Sequence, residues 1–318
     1  MSRHFQLKDI ESTDMIDITP KNTTHIPQKW RNNEFCKRKK RYPPEKLDRI
    51  YEFNVREDDT WIITNPRCGT TWTQEMVWLL LNNLNYDKAR NVNLEERSPY
   101  LEFPACDNIE FCDKLASPRV IKTHLPIQIL PKDIWTKKPK MVYVSRDPRD
   151  AFVSSYNQEL TFRKIYDVPD KNQFFRNLVK YSGYWEHVLP FFEQRNRENI
   201  LFISYEQLKS DLKAMVLKVC DFLGKSYEEK DINSLVEHLS FRNMKDNNSC
   251  SHKRQSDLVR RKYYEMEVIA FTDNSPWKGI VGSHKEELSS DLIEHIDHWE
   301  KSYWEKEKLT LKDILFSN

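Results

Sequence analysis

Glycine is nearly missing: there are 5 in 318 residues, where average usage of about 7% would give roughly 22. Glycine-rich repeats and collagen-like segments are excluded, and each remaining glycine is expected to serve a backbone purpose. The six cysteines, at 36, 68, 106, 112, 220 and 250, include no C-x-x-C pair and no His spacing of the zinc type, so they read as reduced thiols. No run approaches ~18 apolar residues, and Met1 to Pro20 lacks an apolar secretory core. The expectation is a cytoplasmic protein with no membrane partner. A dominant sign of charge is lacking too, since 51 Lys and Arg against 49 Asp and Glu leave +2. With 31% charged and 38% apolar residues, the chain fits neither a disordered segment nor a polybasic nucleic-acid coat. Its length suffices to bury a sizeable core without metal or disulfide.

The first 45 residues are polar, carry Pro20, Pro27, Pro43 and Pro44, and contain the consecutive cations Lys37, Arg38, Lys39, Lys40 and Arg41. Residues 1–45 read as an irregular surface lead-in. The cations read as a solvated face or, in a milder role, as a lure for an anionic ligand, and no nucleic-acid partner is expected. Over residues 46–318, short apolar or β-branched runs end abruptly in turn residues, each followed by helical periodicity. Trp61–Thr64, Arg119–Thr123, Met141–Val144 and Asn199–Ser204 are predicted strands. Thr73–Leu84, a segment opened by Asp147-Pro148 and running through Tyr156, and Lys213–Leu223 closed by Gly224 are predicted helices. This alternation predicts a single α/β domain with a central, mostly parallel sheet flanked by helices, whose ligands gather beyond the strands' carboxyl ends.

After the first of these strands comes Asn65-Pro66-Arg67-Cys68-Gly69-Thr70-Thr71-Trp72. A turn at a helix N-terminus presents unpaired N–H groups and the positive end of the helix dipole, a setting for phosphate or sulfate. Gly69 permits close approach, Thr70 and Thr71 add hydroxyls, and Arg67 adds a cation able to grip an oxyanion bidentately. This is not the G-x-x-x-x-G-K-[ST] loop of ATP and GTP hydrolases, whose first glycine and lysine are missing. Lys122-Thr123-His124 closes the second strand, and period-2 geometry turns Lys122 and His124 to one side. A His at a strand end is more often a hydrogen-bonded surface residue than a base. Beside an anion cradle, however, a neutral imidazole can take a proton from an attacking hydroxyl. After the third strand, Arg146 and Ser154, the latter about one and a half turns into the helix, could touch one phosphate. A surface Arg–Asp pair with a solvent-facing Ser is the plainer alternative.

Together these segments resemble the cytosolic sulfotransferases. Residues 65–72 are similar to that family's P-loop-like Pro-Lys-Ser-Gly-Thr-Thr-Trp, which cradles the 5′-phosphosulfate of 3′-phosphoadenosine 5′-phosphosulfate (PAPS). Arg67 stands where the family usually has a catalytic Lys, and Cys68 where it usually has Ser. Arg67 could stabilise leaving charge but could not hand over a proton. Lys122-Thr123-His124-Leu125-Pro126 resembles the catalytic segment, which implies His124 as general base and Lys122 steadying the transferred group. Tyr100-Leu101-Glu102-Phe103 looks like the acceptor-pocket segment, implying substrate contacts from Tyr100, Glu102 and Phe103 beside Lys122 and His124. Arg146 and Ser154 resemble the 3′-phosphate clamp. Tyr205, Ser240 and Phe241 match positions around the adenine, on which Trp72 would stack, while Leu239 stands where Thr is frequent.

Trp277 to Lys285 resembles the family's Arg-Lys-Gly-x-x-Gly-Asp-Trp-Lys. It keeps Lys278, Gly279, Gly282 and Lys285, but Trp277 replaces an Arg that normally binds the 3′-phosphate. Arg260, Arg261 and Lys262 are the nearest cations in sequence that could substitute. A dimer motif is half kept, as Lys285, Ser289, Ser290 and Glu294, so monomer and homodimer both stay open. The resemblance runs from about residue 58 to 286. It implies transfer of a sulfuryl group from PAPS to a hydroxyl of a small lipophilic acceptor, leaving adenosine 3′,5′-bisphosphate (PAP), without a metal. A PAP-dependent dehydratase of the same fold and a non-catalytic PAP-binding protein are the alternatives.

Overall fold

The computed structural model describes residues 1–11, 15–24, 26, 28, 37–39, 42–162, 170–251, 257–258, 261–262 and 279–317. The expectation of an irregular lead-in is corrected by an antiparallel sheet of β1 (Phe5–Asp9), β2 (Met15–Pro20) and β3 (Lys37–Lys39), in which Phe5 faces Pro20 and Asp17 faces Lys37. Lys37–Lys39 of the basic run is thus an edge strand. The strands are too short and polar to announce themselves in sequence. Their stability comes from docking, because Phe5 and Ile18 are buried in the same core as Leu47 and Ile50 of α1 (Pro44–Tyr51).

Beyond α1 the chain alternates strand and helix. The order across the second sheet is β5 (Val120–Thr123), β4 (Thr60–Thr64), β6 (Lys140–Ser145) and β7 (Ile200–Ser204). All three pairings are parallel, with Ile62 opposite Lys122 and Val142, and Tyr143 opposite Phe202. Strands buried on both faces read as near-continuous apolar runs, as these do. Successive residues then divide between two cores. Trp61, Ile63, Tyr143 and Phe202 enter one, under the helices Tyr184–Glu193 and Ser290–Glu307. Ile62, Val142, Val144 and Ile203 enter the other, under α2 (Thr70–Leu81) and the helix Leu212–Leu223.

The four predicted strands are present with ends shifted by a residue or so. α2 starts three residues before the predicted Thr73, because Gly69 takes a left-handed φ of 95° as its N-cap and lets the helix begin at once. It ends three residues early, ahead of Asn83 and Leu84, both at positive φ. The chain turns to opposite sides of β4, toward β5 and toward β6. That reversal opens the crevice in which α/β sheets bind ligands, and Asn65–Gly69, His124 and Arg146 all follow the strands that border it.

Candidate active site

β4 delivers the chain into a loop that only unusual backbone angles can make, with Arg67 at φ 71° and Gly69 at φ 95°. A Cβ on Gly69 would stand 2.9 Å from Cδ2 of Tyr205, so any side chain there would push the loop off the aromatic ring. The first N–H groups of α2 have no partner within the helix and form the floor of the cradle. Thr70 is buried, its Oγ1 2.8 Å from Thr64 Oγ1, whereas Thr71 is partly exposed. Trp72 donates from Nε1 to the Leu239 carbonyl at 2.8 Å and meets Tyr205 edge-on, ring centroids 5.8 Å apart. Cys68 contributes backbone only. Its thiol is fully buried, 3.7 Å from Tyr184 Oη, and burial pushes it up to about 12, so it stays protonated and turned away from the cradle.

Arg67 donates from Nε to Ser154 Oγ at 3.0 Å. Burial and the neighbouring Arg146 pull its guanidinium down to about 10, which still leaves it charged near neutrality. Arg146 binds the Arg67 carbonyl at 3.0 Å and the Ile280 carbonyl at 3.2 Å, and its guanidinium lies 4.3 Å from the Tyr205 ring centre. Its Nε is buried without a hydrogen-bond partner. A buried, unpaired N–H is costly, and beside a second guanidinium it suits an oxyanion.

The residues expected around an adenine gather here as well. Gly279, at φ 62°, packs so closely under Phe241 that a Cβ would fall 2.3 Å from its ring. Asp150 accepts N–H bonds from Gly282 at 2.6 Å and His284 at 3.0 Å, and a further bond from the His284 ring at 2.8 Å. This seats the 279–284 segment against Arg146. Ser240 caps the helix Phe241–Asp246 with its hydroxyl. Lys278, Trp277 and Arg260 lie outside the described residues. Of the proposed substitutes for the missing Arg, Arg261 is exposed. Lys262 donates to the Pro104 carbonyl at 3.1 Å, on the acceptor side rather than at the clamp.

At the end of β5, His124 donates from Nδ1 to the Thr64 carbonyl at 2.8 Å. A carbonyl can only accept, so a neutral ring donating there has its acceptor nitrogen at Nε2, with Thr64 Oγ1, 3.1 Å from the same Nδ1, free to turn its own proton toward Thr70. Tyr100 pairs with Lys122 as a parallel bridge, with the Lys122 Nζ 4.7 Å from its ring centre and the His124 ring 5.0 Å away, edge-on. Lys122 and His124 therefore share one pocket side. Burial lowers Lys122 to about 8, against the opposing pull of Glu102. Glu102 is turned inward. The expected acceptor contact is fully buried, taking the His124 N–H at 2.6 Å and the Thr123 hydroxyl at 2.9 Å. Phe103 is buried too, which leaves Tyr100 the more open aromatic.

Residues 57–311 match the family model described as the sulfotransferase domain. The chain belongs to the sulfotransferase family. Its enzyme class is that of the PAPS-dependent sulfotransferases. Relatives of this sulfotransferase include luciferin sulfotransferase of Photinus pyralis, 32% identical over 80% of this chain and 74% of that one. Sulfotransferase 1E1 of Bos taurus is 32% identical over 81% and 87%. Among solved structures, retinol dehydratase in complex with androsterone and the inactive cofactor PAP superposes with a TM-score of 0.76 at 22% identity, covering 96% of this chain and 97% of that one. Mouse sulfotransferase SULT7A1 complexed with PAP gives 0.63 at 22%, covering 84% and 91%. These likenesses show a shared fold. No described helix of this sulfotransferase is long and apolar enough to cross a membrane. Thr64, whose carbonyl lies 2.8 Å from His124 Nδ1, and Tyr184, which hydrogen-bonds the Arg146 carbonyl, fall outside the sequence motifs. Neither carries a signal in its residue type.

Proposed function

We propose that this sulfotransferase moves the sulfuryl group of PAPS to a hydroxyl of a small lipophilic acceptor, with His124 as the general base. The observation that supports the reading is the 2.8 Å approach of His124 Nδ1 to the Thr64 carbonyl, which favours a proton on Nδ1 and so makes Nε2 the accepting nitrogen, in a ring 5.0 Å from that of Tyr100. The name of the Photinus relative supports a small-molecule acceptor.

The donor supplies an activated sulfuryl group, and the chain's own residues do the rest. Arg146 and Ser154 would hold the 3′-phosphate, with Trp72, Tyr205, Phe241 and Gly279 around the adenine. Arg67 and the N–H groups of Gly69 to Trp72 would hold the 5′-phosphosulfate. His124 Nε2 takes the acceptor's proton as its oxygen bonds to sulfur. The bridging S–O bond breaks with its electron pair on the phosphate oxygen, where Arg67 and Lys122 offset the new charge.

A labelled-PAPS screen over phenols, sterols, retinoids and catecholamines tests the reading by product mass. A gain of sulfate is expected, loss of water would instead mark a dehydratase, and tight PAP binding with no product would mark a non-catalytic protein. His124→Ala should abolish transfer while PAP binding stays nearly intact. Equal loss of both would make the residue structural.

A further inference from the structure

We propose that Tyr143 and His187 are a positioning pair that sets the placement of His124 by holding its backbone carbonyl. The inference rests on the reading of His124 as the base. β5 pairing with β4 ends at Thr123 opposite Ile63, so no strand ladder holds the next residue, and its placement falls to other groups. Glu102 takes the N–H at 2.6 Å, and the Thr64 carbonyl takes the ring at 2.8 Å. On the remaining side the His124 carbonyl lies 3.3 Å from Nε2 of His187, whose Nδ1 lies 2.7 Å from Tyr143 Oη. Since the carbonyl can only accept, His187 carries its proton on Nε2, and Tyr143 donates its O–H to Nδ1.

Both side chains are buried in the larger core, where polar groups are costly unless fully engaged. Tyr143 cannot shift. It stands on the interior strand β6 with its ring stacked on Phe191 (4.6 Å, 22°) and Phe202 (5.1 Å, 9°). The rigid sheet centre is thereby linked, through two hydrogen bonds, to the main chain of the base. Small misplacements of a reacting group are expensive in rate, and this link acts on placement without touching donor or acceptor.

The test measures kcat, KM for PAPS and the PAP-induced rise in unfolding temperature for His187→Leu, His187→Gln and Tyr143→Phe, with His124→Ala alongside. His187→Leu should lower kcat about tenfold or more, leaving KM for PAPS and the PAP-induced rise within about twofold. His187→Gln, whose amide can donate to the same carbonyl and accept from the same hydroxyl, should recover most of the rate. Tyr143→Phe should fall between. Unchanged kcat in His187→Leu, loss of kcat and PAP binding together, or no rescue by Gln would each overturn the proposal. If His187→Leu does not fold, Tyr143→Phe decides, since a severalfold loss of kcat at constant KM supports the pair and an unchanged kcat ends it. His124→Ala that still turns over would sink the base reading itself. A dead His124→Ala beside a normal His187→Leu would sink only the positioning pair.

Discussion

Two cations flank the proposed reacting centre, and they do not keep their charge over the same range. Arg67 holds its proton to about 10, but Lys122 only to about 8, each pulled down chiefly by burial. In the free enzyme Lys122 is charged below about 8 and neutral above it, so kcat/KM for PAPS, which reports free-enzyme groups, should fall as the pH rises through that value. A bound polyanion favours the charged ammonium, and the alkaline limb of kcat should therefore lie higher than that of kcat/KM. Lys122→Arg should move the kcat/KM limb up toward the Arg67 range, and a limb that stays put means another group titrates. Arg67→Ala should cost about a hundredfold in kcat, the scale of losing a donor to developing charge. Arg67→Lys should keep most of the rate, since the charge survives. Arg67, Lys122 and His124 are legible in sequence because a charged or imidazole side chain at a strand's end carries its chemistry in its type. Glu102 and Cys68 are legible as types but not as directions. Nothing local reveals that one turns under β5 to hold the His124 N–H and the other into the core beside Tyr184.

Elements turn the same few residues into a site. The period of the apolar runs suffices to place β4 to β7 and the order strand, loop, helix, because strands buried on both faces leave a plain hydrophobic imprint. Helix ends are less legible, as α2 shows: its start depends on a left-handed Gly69, and backbone angle is not written in hydrophobic pattern. This glycine can be weighed against another. Gly69 and Gly224 both hold positive φ, at 95° and 68°, so alanine at either should cost about 1–3 kcal/mol of stability through backbone strain. Only at Gly69 would the added Cβ meet Tyr205 at 2.9 Å, whereas at Gly224 the nearest atom is the flexible Lys140 Nζ at 3.9 Å. Gly69→Ala should therefore weaken PAP binding about tenfold or more, each tenfold being ~1.4 kcal/mol, while Gly224→Ala leaves PAP affinity unchanged. Calorimetric titration of both variants with PAP checks this. Equal affinities would mean that the loop tolerates displacement from Tyr205 and that the cradle lies elsewhere.

At the scale of the whole molecule, the segment leading into the N-terminal sheet is tied to α1 by two carboxylates, the buried Asp48 and the more exposed Glu52, which takes Arg3 at 3.0 Å and lies 2.9 Å from the His4 ring. Asp48 of α1 accepts the Ser2 hydroxyl at 2.6 Å and the N–H groups of Arg3 at 2.8 Å and His4 at 3.1 Å. Burial alone would push this carboxyl up, but the bonds from Arg3, Ser2 and His4 outweigh it and hold it below its ordinary 3.8. A carboxyl lowered by folding contributes stability that is complete above the unfolded value and is lost as the pH falls through the folded one. The Asp48 tie should therefore hold at neutral pH and fail only below about 4. Replacing Asp48 by Ala leaves the Ser2 hydroxyl and the Arg3 N–H without their acceptor, while the His4 N–H keeps Ser2 Oγ at 3.3 Å, and the loss is about 1–3 kcal/mol for each donor buried and unpaired. It also loosens the cover that Phe5 and Ile18 give to Leu47 and Ile50. Asp48→Ala should unfold several degrees lower at neutral pH and expose residues 1–20 to amide exchange, while the unsubstituted protein shows that exposure only in acid. Asp48→Asn keeps an acceptor and should fall between the two. If amide exchange in residues 1–20 is the same in Asp48→Ala as in the parent at pH 7, the sheet is held by its apolar face and the Glu52 contacts, and the Asp48 carboxylate does no more than cap the chain's first turn.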